Sequence, residues 1–499
     1  MKKVFCVFVS FAVILMACDG KEGESGLVGS EPTSPTDGSA VVIDFSESGL
    51  PRLDIKRGYV LRPAIDRLNT RIMDELKALP DMGMQLVAMP KDLNQFDENW
   101  KTNPRGDYFL SYRSMGNSYL GGDGEKEEFS KNSEGGIDVS INSKYLELCR
   151  TARNLGLQLI VQCSGVPVEG KEDGSVEHLF PLDDRRSFHG SARYYPLPAP
   201  GNYEANANVI FEWMKKLHDE LGGGNTIYAG NQEPSHTTGY FNGTQTDAAT
   251  IQNLQVYPAI WKPIAMKLQN GGMLSAVSQL NEVYSHYDPS VESIVSKGVP
   301  MDYYSIQNYR AQNNRTILTS VKNALEKYGL STSKKVLFNR YDYGEMPGLT
   351  TNDLRFGTAP GIIKFLESEL VLCEYADMVY GYCFFTGAQS YEMMNSTFTF
   401  LNRMPQMRKK ILNIPDGLKY IASADENKVS VIIWNPGDND CLFDLDASGA
   451  GSGTAELSIL KGSESEISQY SPAGWDQTSK KISGIDIKGK EFILITLQL

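Results

Sequence analysis

Short apolar runs alternate with amphipathic stretches over most of the chain, a pattern that predicts strands followed by helices. Eight runs between Val41 and about Pro415 have the length and composition of buried strands: Gly58–Leu61, Gln85–Met89, Leu157–Cys163, Thr226–Gly230, Leu274–Gln279, Tyr303–Gln307, Lys335–Phe338 and Val379–Phe385. Stretches with helical periodicity separate them, among them Arg67–Leu79, Ser143–Asn154, Ala205–Leu221 and Ile317–Tyr328. Eight strand–helix units predict an α/β fold, a (β/α)8 TIM barrel over residues 41–415.

The hydrophobic pattern changes at about Asp416, where short apolar runs are separated by Gly, Asn and Asp. The strands that this pattern predicts are Leu418–Ala422, Lys428–Trp434, Cys441–Leu445, Thr454–Lys461 and Glu491–Leu497. Closely spaced short strands of this kind predict an all-β sandwich domain over residues 416–499. Val41–Phe45 has two alternative places: it adds a strand to the sandwich, or it competes with Gly58–Leu61 as the first barrel strand.

The N-terminus has a basic start, Met1-Lys2-Lys3, followed by the apolar segment Val4–Ala17. This segment is too short to span a bilayer, so we interpret residues 1–17 as a secretory signal. Its end, Leu15-Met16-Ala17-Cys18, resembles the lipobox of bacterial lipoproteins. That resemblance implies cleavage before Cys18 and lipidation of this cysteine. The alternative is an ordinary signal peptide with a chance cysteine.

Residues 18–40 are predicted to be the lipidated cysteine and a disordered tether, because Asp19–Ala40 consists largely of Gly, Ser, Glu, Pro and Thr. A lipid followed by a tether predicts a bacterial membrane-anchored lipoprotein that faces the periplasm or the cell surface. The membrane is therefore one predicted partner, through the N-terminal lipid anchor.

Net charge and cysteine spacing argue against several classes of protein. The formal net charge is −13, which disfavours nucleic acid as a partner. Five cysteines after Cys18 are scattered singly, with no CxxC pair and no histidine at metal-ligand spacing: Cys149, Cys163, Cys373, Cys383 and Cys441. Most lie in apolar segments, so we expect buried thiols, no metal site and no disulfide framework. Nothing in the sequence indicates a cofactor.

Polar and aromatic residues concentrate at the predicted strand ends, where barrel enzymes hold their chemistry. The fourth run is followed by Asn231, Gln232 and Glu233, and then by Pro234 and His236. The sixth run and the residues after it contain Tyr304, Gln307 and Tyr309, and the segment after the seventh run contains Arg340, Tyr341, Asp342 and Glu345. These residues predict a polar cleft for a hydroxylated ligand, with the amides, His236 and the tyrosines as candidates for binding a sugar.

Glu233 is the candidate acid/base of a glycosidase. Retaining hydrolysis needs one carboxyl group to protonate the leaving oxygen and a second to attack the anomeric carbon, about 5–5.5 Å apart. The proton donor needs a raised pKa, which a partly buried site supplies. Glu233 fits the donor because it follows a predicted strand and precedes a proline that turns the chain away. The alternative is a surface glutamate in a turn.

This layout resembles the clan A glycoside hydrolases, and within them it looks closest to the β-agarase/β-porphyranase family (family 86). The β-xylosidase/iduronidase family is a more distant relative. The matching segments are Asn231-Gln232-Glu233-Pro234, Asp302–Tyr309 and Phe400–Pro405, and the resemblance covers about residues 50–499. It implies a polysaccharide substrate of plant or algal origin, such as an agarose- or porphyran-type galactan. It also implies an acid/base Glu after the fourth strand and a nucleophile Glu after the seventh.

Two positions depart from the clan pattern. Gln232 stands where the clan has an Asn, and Arg340 stands in the slot of the nucleophile. An arginine is a permanent cation and cannot attack an anomeric carbon. The nearby Asp342 or Glu345 then supplies the nucleophile. Alternatively, Arg340 pairs with Glu233 or binds an anionic sugar, and the chain is an inactive cell-surface glycan-binding protein.

Two long insertions are predicted to extend the rim of the barrel and to form walls of a binding cleft, Asn94–Asp138 and Gly165–Asn202. In the predicted sandwich, Trp434 lies near a turn and is a further candidate for stacking on sugar. A barrel with a purely structural role is the third alternative, which the polar and aromatic strand ends disfavour.

Overall fold

Eight parallel strands close into a barrel. The computed structural model describes residues 40–46, 49–50, 52–60, 72–92, 128–164, 166–170, 176–181, 198–230, 256–280, 292, 294–308, 314–330, 335–340, 357–375, 378–382 and 392–499. In chain order the first strands are β1 (Val41–Asp44), β2 (Lys56–Val60), β3 (Leu86–Asp92), β4 (Phe129–Lys131), β5 (Ile137–Val139), β6 (Gln158–Ser164), β7 (Val168–Gly170), β8 (Val176–His178), β9 (Ile227–Ala229), β10 (Leu274–Leu280), β11 (Tyr303–Asn308), β12 (Lys335–Arg340) and β13 (Met378–Tyr382). The ring order is β10-β11-β12-β13-β2-β3-β6-β9. Each of the eight strands predicted for the barrel coincides with one of these.

Helices cover the outside of this ring. They are α1 (Ile72–Ala78), α2 (Ser143–Asn154), α3 (Tyr203–Glu220), α4 (Val256–Asn270), α5 (Asn314–Lys327), α6 (Ala359–Tyr375) and α7 (Glu392–Asn402). They follow seven of the eight barrel strands, and after β10 residues 294–296 are helical. The four predicted helices coincide with α1, α2, α3 and α5. Residues 61–71, which hold the start of the predicted Arg67–Leu79 helix, lie outside the described residues.

The barrel strands divide their side chains between an interior cluster and a layer under the helices. Leu86, Ile160, Ile227 and Tyr303 belong to the interior cluster, whereas their chain neighbours pack in the larger core with the helices. This division follows from the two-residue period of a strand. Side-chain parity therefore decides which residues face the barrel axis.

The C-terminal region is a ten-stranded sheet. Its further strands are β14 (Arg408–Leu412), β15 (Lys419–Ala424), β16 (Lys428–Trp434), β17 (Cys441–Asp446), β18 (Glu456–Ser463), β19 (Glu466–Gln469), β20 (Gly474–Asp476), β21 (Lys481–Ile487) and β22 (Phe492–Gln498). The order is β19-β18-β22-β16-β15-β14-β1-β17-β21-β20. All five strands predicted after Asp416 are present, and β14, β19, β20 and β21 are additional.

Val41–Phe45 adds a strand to the C-terminal sheet, which is the first of the two places predicted for it. β1 pairs antiparallel with β14 and parallel with β17, so it belongs to the C-terminal sheet. Both β1 and β14 lie within residues 41–415, the range predicted for the barrel. The strand order is continuous from β19 to β20, and residues from β16 and β22 share one apolar cluster with residues from β17 and β21. The sheet is therefore curled around this core.

Two strands of this sheet are buried on both faces and join it to the barrel. Ile433 and Ile493 face the core of the sheet itself, whereas Trp434 and Phe492 belong to the core cluster that contains helices α6 and α7. Trp434 is fully buried, so its prediction as a sugar-stacking residue is wrong. Strands buried on both faces carry nearly continuous apolar sequence, and the run Val431-Ile432-Ile433-Trp434 has that character.

A buried ion pair joins the first barrel strand to helix α6. Arg57 of β2 and Glu369 of α6 are 3% and 0% exposed, and Arg57 Nε donates to Glu369 Oε2 at 3.0 Å. Arg57 also donates to Cys373 Sγ at 3.4 Å. Burial raises the pKa of the Cys373 thiol, which the positive charge of Arg57 partly opposes. Because desolvated charges are stable only when paired, this contact fixes α6 against the first barrel strand.

Cys149, Cys163 and Cys373 are buried free thiols and Cys441 is half-buried, which confirms the expectation of buried thiols for three positions. Cys383 lies outside the described residues. In the part of the chain that the structure describes, no helix is both long and apolar enough to cross a membrane.

Replacing Gly58 by alanine is expected to destabilise the barrel. Gly58 pairs with Leu86, and a Cβ on Gly58 would overlap the Leu86 side chain and backbone. We expect a loss of about 1–3 kcal/mol in the free energy of unfolding, measured by denaturant titration. Gly201→Ala is the matched control, because a Cβ there meets nothing within 4 Å. Equal effects of the two substitutions would contradict the close approach of β2 and β3.

Removing one member of the buried ion pair is expected to weaken the packing of α6 on β2 strongly. Glu369→Ala leaves the Arg57 guanidinium buried without this carboxylate, and we expect a loss of about 3–5 kcal/mol in the first unfolding transition. Glu374→Ala, on the same helix, removes an exposed pair with Arg315 at 3.3 Å and is expected to cost less than about 1 kcal/mol. A small effect of Glu369→Ala would show that the pair does not hold α6 against β2.

Candidate active site

The C-terminal ends of the eight barrel strands form one face. Most of the candidate residues follow the end of a strand in the sequence, whereas Tyr304, Gln307 and Arg340 belong to strands. Counted around the ring from β2, β9 is the fourth strand and β12 is the seventh. Glu233 follows the end of β9 by four residues, and Arg340 is the last residue of β12. The order of the strands therefore agrees with the predicted positions of both residues along the chain.

The ends of β11 and β12 lie side by side. Gln307 pairs with Asn339, and Asn308 pairs with Arg340, in parallel register. β12 continues two residues beyond its predicted end at Phe338. Arg340 is consequently part of the strand, and Asp342 comes two residues after its end.

Tyr304 is not at the barrel mouth. It is fully buried and belongs to the core between the strands and the helices, so its prediction as a substrate-binding residue is wrong. The preceding residue, Tyr303, belongs to the interior cluster instead. Consecutive residues of a strand face opposite sides of the sheet, which places these two tyrosines in different layers.

Two alanines lie in register on one side of Tyr303. Tyr303 is in register with Ala276, and Ala276 with Ala229; all three belong to the interior cluster. Two residues further toward the mouth, Ser305 is fully buried, and its Oγ has no hydrogen-bond partner within the described part of the chain. Ser305 comes two residues after Tyr303, so the two-residue period of the strand places both on the same face of the sheet.

Asp302, the first residue of the segment Asp302–Tyr309, has a structural role at the opposite end of the barrel. Its Oδ2 accepts a hydrogen bond from the backbone N–H of Ser275 at 2.8 Å, and its own N–H donates to the carbonyl of Ser275 at 2.9 Å. These bonds tie the start of β11 to the start of β10.

The strand that leads to Glu233 is anchored by its outward face. Tyr228 of β9 is fully buried in the core under the helices, and its ring lies 6.1 Å from that of His218 on α3. Burial raises the pKa of Tyr228 and lowers that of His218, so both side chains are neutral at physiological pH. This packing holds the end of β9 against the helix layer.

The described parts of the two predicted rim insertions are a pair of hairpins, β4–β5 and β7–β8. They contact each other: the backbone N–H of Lys131 donates to Glu169 Oε1 at 2.6 Å, and Lys131 Nζ lies 3.5 Å from Glu177. Phe129 is buried beneath them. The insertions follow β3 and β6, and β9 is the next strand in the ring. The hairpins therefore belong to the side of the rim next to β9, the strand that precedes Glu233.

Most candidate site residues lie outside the described residues: Asn231, Gln232, Glu233, His236, Tyr309, Tyr341, Asp342 and Glu345, together with the lipidation candidate Cys18. Of the others, Gln307 and Arg340 lie at the ends of neighbouring strands, and Tyr304 is buried in the core under the helices. Among the residues that the structure describes, no group of His, Cys, Asp and Glu is arranged to hold a metal ion.

No family model matches this chain, and no curated protein matches its sequence. Solved structures match its fold. A glucosidase from Croceicoccus marinus aligns with a TM-score of 0.55 and 12% identity, over 92% of this chain and 99% of that one. A family 44 xyloglucanase from Paenibacillus polymyxa gives the same values. A conserved exported protein from Bacteroides fragilis aligns with a TM-score of 0.52 and 9% identity, over 92% and 100% of the two chains.

At such low identity the comparison shows the fold alone. This chain has the fold of glycoside hydrolases, which confirms the resemblance to clan A glycoside hydrolases at the level of the fold. The C-terminal sheet is part of the likeness, since the alignments cover 92% of the chain.

Truncating Tyr304 is expected to destabilise the fold. Tyr304→Ala removes a fully buried ring, and we expect a loss of about 3–5 kcal/mol in the free energy of unfolding. Tyr328→Ala is the comparison variant, since Tyr328 is half-buried and its hydroxyl donates to Glu292 at 3.1 Å. A Tyr304→Ala variant as stable as the unmodified chain would instead favour a place at the mouth.

Proposed function

We propose that this protein is a glycoside hydrolase that cleaves a plant or algal polysaccharide by a retaining mechanism at the C-terminal face of a complete (β/α)8 barrel. The observation that carries the proposal is the ring order. β9 is the fourth strand, and the chain leaves it through Asn231-Gln232-Glu233-Pro234. The fold shared with a glucosidase and a xyloglucanase supports the same class of reaction.

Glu233 is the proposed acid/base. A carboxyl group that donates a proton near neutral pH needs a raised pKa, which a partly buried site supplies. It protonates the leaving glycosidic oxygen in the first step and then deprotonates the water that hydrolyses the glycosyl–enzyme bond.

Asp342 is the preferred nucleophile, and Glu345 is the second candidate. Because β12 extends to Arg340, Asp342 is the second residue after the strand, whereas Glu345 is the fifth. A residue close to the strand end has a shorter path to the mouth. β9 and β12, the fourth and seventh strands, are three strands apart in a ring of eight. Two carboxylates that follow the C-terminal ends of these strands are therefore proposed to approach each other across the mouth of the barrel.

Arg340 is proposed to bind substrate beside the reacting atoms. Its backbone pairs with Asn308 at the end of β11, and a guanidinium is well suited to carboxylate or sulfate groups. Asn231, Gln232, His236, Gln307, Tyr309 and Tyr341 are the other proposed sugar contacts. An anionic substrate group at Arg340 agrees with the proposed porphyran-type galactan, the specificity that the resemblance to family 86 implies.

The proposed location is the periplasmic or outer face of a bacterial membrane. Residues 1–17 are the proposed lipoprotein signal peptide, Cys18 is the lipidated residue, and residues 19–40 are the tether. The structure describes the chain from Ala40, whose carbonyl accepts a hydrogen bond from Asn413 at 3.0 Å. The proposed tether therefore joins the protein at the C-terminal sheet.

A surface glycan-binding protein without hydrolytic activity is the second candidate. Arg340 favours it, because the cation occupies the position that the resemblance assigns to the nucleophile. In this alternative Arg340 pairs with Glu233 or binds an anionic sugar, and a polysaccharide is held but not cut.

The test is reducing-end release by the full chain on agarose, porphyran, xylan and xyloglucan, compared with Glu233→Gln, Asp342→Asn and Glu345→Gln. We expect release from at least one glycan and a decrease of at least about 10³-fold in Glu233→Gln and in the nucleophile variant, since loss of either carboxyl removes an essential step. Of Asp342→Asn and Glu345→Gln, the variant that does not remove the nucleophile is the matched control. Binding of a glycan without release by the unmodified chain would establish the glycan-binding alternative.

A further inference from the structure

The turn between β18 and β19 in the C-terminal sheet contacts the first residue of α6 in the barrel. The backbone N–H of Ala359 donates to the carbonyl of Glu464 at 2.7 Å. Ala359 is fully buried. The first N–H groups of a helix have no partner within the helix, and here the C-terminal sheet supplies one of them.

Glu464 has an unusual backbone conformation for its residue type. Ser463 pairs with Glu466, so the hairpin turns through Glu464 and Ser465, and the φ of Glu464 is +47°. Glycine is the residue that ordinarily accepts a positive φ at this place in a two-residue hairpin. A strained conformation of this kind persists where its surroundings determine it, and the bond to Ala359 is one such constraint.

The base of the hairpin is fixed by the core that joins the sheet to the barrel. Gly462 pairs with Phe492, and a Cβ on Gly462 would overlap the Phe492 ring. Phe492 is fully buried in the cluster that includes residues of α6 and α7, and Ile467 of β19 packs against the same cluster. The turn is consequently held in place from beneath, independently of its contact with Ala359.

The start of α6 is also where the chain returns from β12. Thr358 Oγ1 accepts a hydrogen bond from the N–H of Gly361 at 3.4 Å, an N-cap arrangement. Residues 341–356 connect β12 with this point, and the sequence of that connection includes Asp342 and Glu345. Since strand-to-helix loops lie at the C-terminal face of a barrel, the hairpin reaches the face on which the proposed chemistry takes place.

We propose that the β18–β19 hairpin positions the catalytic loop. By holding Ala359, it fixes the C-terminal end of the connection whose sequence contains Asp342 and Glu345. Glu464 and Ala359 are positioning residues in this account, and neither touches substrate. The catalytic part of the inference rests on the proposed hydrolase function, whereas the structural part stands without it.

A proline at position 464 tests the structural part. Its φ is restricted to about −65°, so Glu464→Pro cannot retain the present turn and displaces the carbonyl that binds Ala359. Glu464→Gly is the matched control, because glycine keeps a positive φ without strain. Hydrogen exchange of the first turn of α6, followed by mass spectrometry in the full chain, is expected to accelerate about tenfold in Glu464→Pro and to stay unchanged in Glu464→Gly.

Strand β16 is the reference for global effects in the same experiment. Equal exchange in the two variants, or an acceleration that β16 shares to the same extent, would overturn the positioning role. Gly462→Ala perturbs the base of the hairpin without changing the sequence of the turn. It is expected to accelerate hydrogen exchange in α6 as well. No local effect in either Glu464→Pro or Gly462→Ala would also overturn the inference.

Measurements of catalytic activity distinguish a failure of this inference from a failure of the proposed function. On a glycan that the unmodified chain cleaves, we expect Glu464→Pro to lower kcat about tenfold, with KM within about twofold and with recovery in Glu464→Gly. Faster exchange in α6 with unchanged kcat would overturn the catalytic part. If the unmodified chain cleaves no glycan, the proposed function fails, and the exchange result still decides whether the hairpin holds α6.

Discussion

Each barrel strand is paired on both sides in a closed ring, so each of its side chains faces either the barrel axis or the surrounding helices. A shift of one residue in any strand would exchange these two sets completely. Tyr303 with Ala276 and Ala229 fills the interior, and Tyr304 and Tyr228 fill the layer under the helices. The polar loops at the C-terminal face depend on this packing, because it fixes where each strand ends.

The C-terminal sheet is a structural extension of the barrel. β16 and β22 are buried on both faces and contribute to both cores. Along α6, the sheet contacts the barrel at Ala359, which donates to Glu464, and at Glu367, which pairs with Lys419 at 2.6 Å. The same helix is held to β2 by the buried Arg57–Glu369 pair. One helix thus connects the loop after β12 with β2, β15 and the β18–β19 turn. We infer that separating the sheet from the barrel would disturb the candidate site.

The amino-acid pattern predicts much of this fold, because barrel strands buried on both sides are short apolar runs that can be located without knowing their partners. Pairing over long range is harder to predict. β14 reads Arg-Lys-Lys-Ile-Leu and has too few apolar residues to be recognised, yet it joins β1 to β15. Trp434 lies near a turn, which suggests exposure, but the second apolar layer beneath it belongs to helices far away in sequence.

The site is predictable to a smaller extent. A strand position and a following glutamate can be recognised, as for β9 and Glu233. The orientation of a side chain depends on the exact register of its strand. The register directs Tyr304 into the core under the helices, so it cannot bind substrate as predicted. The end of β12 also depends on tertiary pairing, since Asn339 and Arg340 extend the strand by pairing with Gln307 and Asn308. A polar sequence with weak strand propensity gives no local signal of that extension.

The central claim is that two carboxylates in the loops after β9 and β12 cleave a glycosidic bond with retention. The most direct measurement is a proton NMR time course of glycan cleavage by the full chain, which resolves the anomeric configuration of the newly formed reducing ends before mutarotation. A retaining mechanism predicts that the first product has the configuration of the bond that was cleaved. Initial formation of the opposite anomer, or a bound glycan with no new reducing ends, would contradict it.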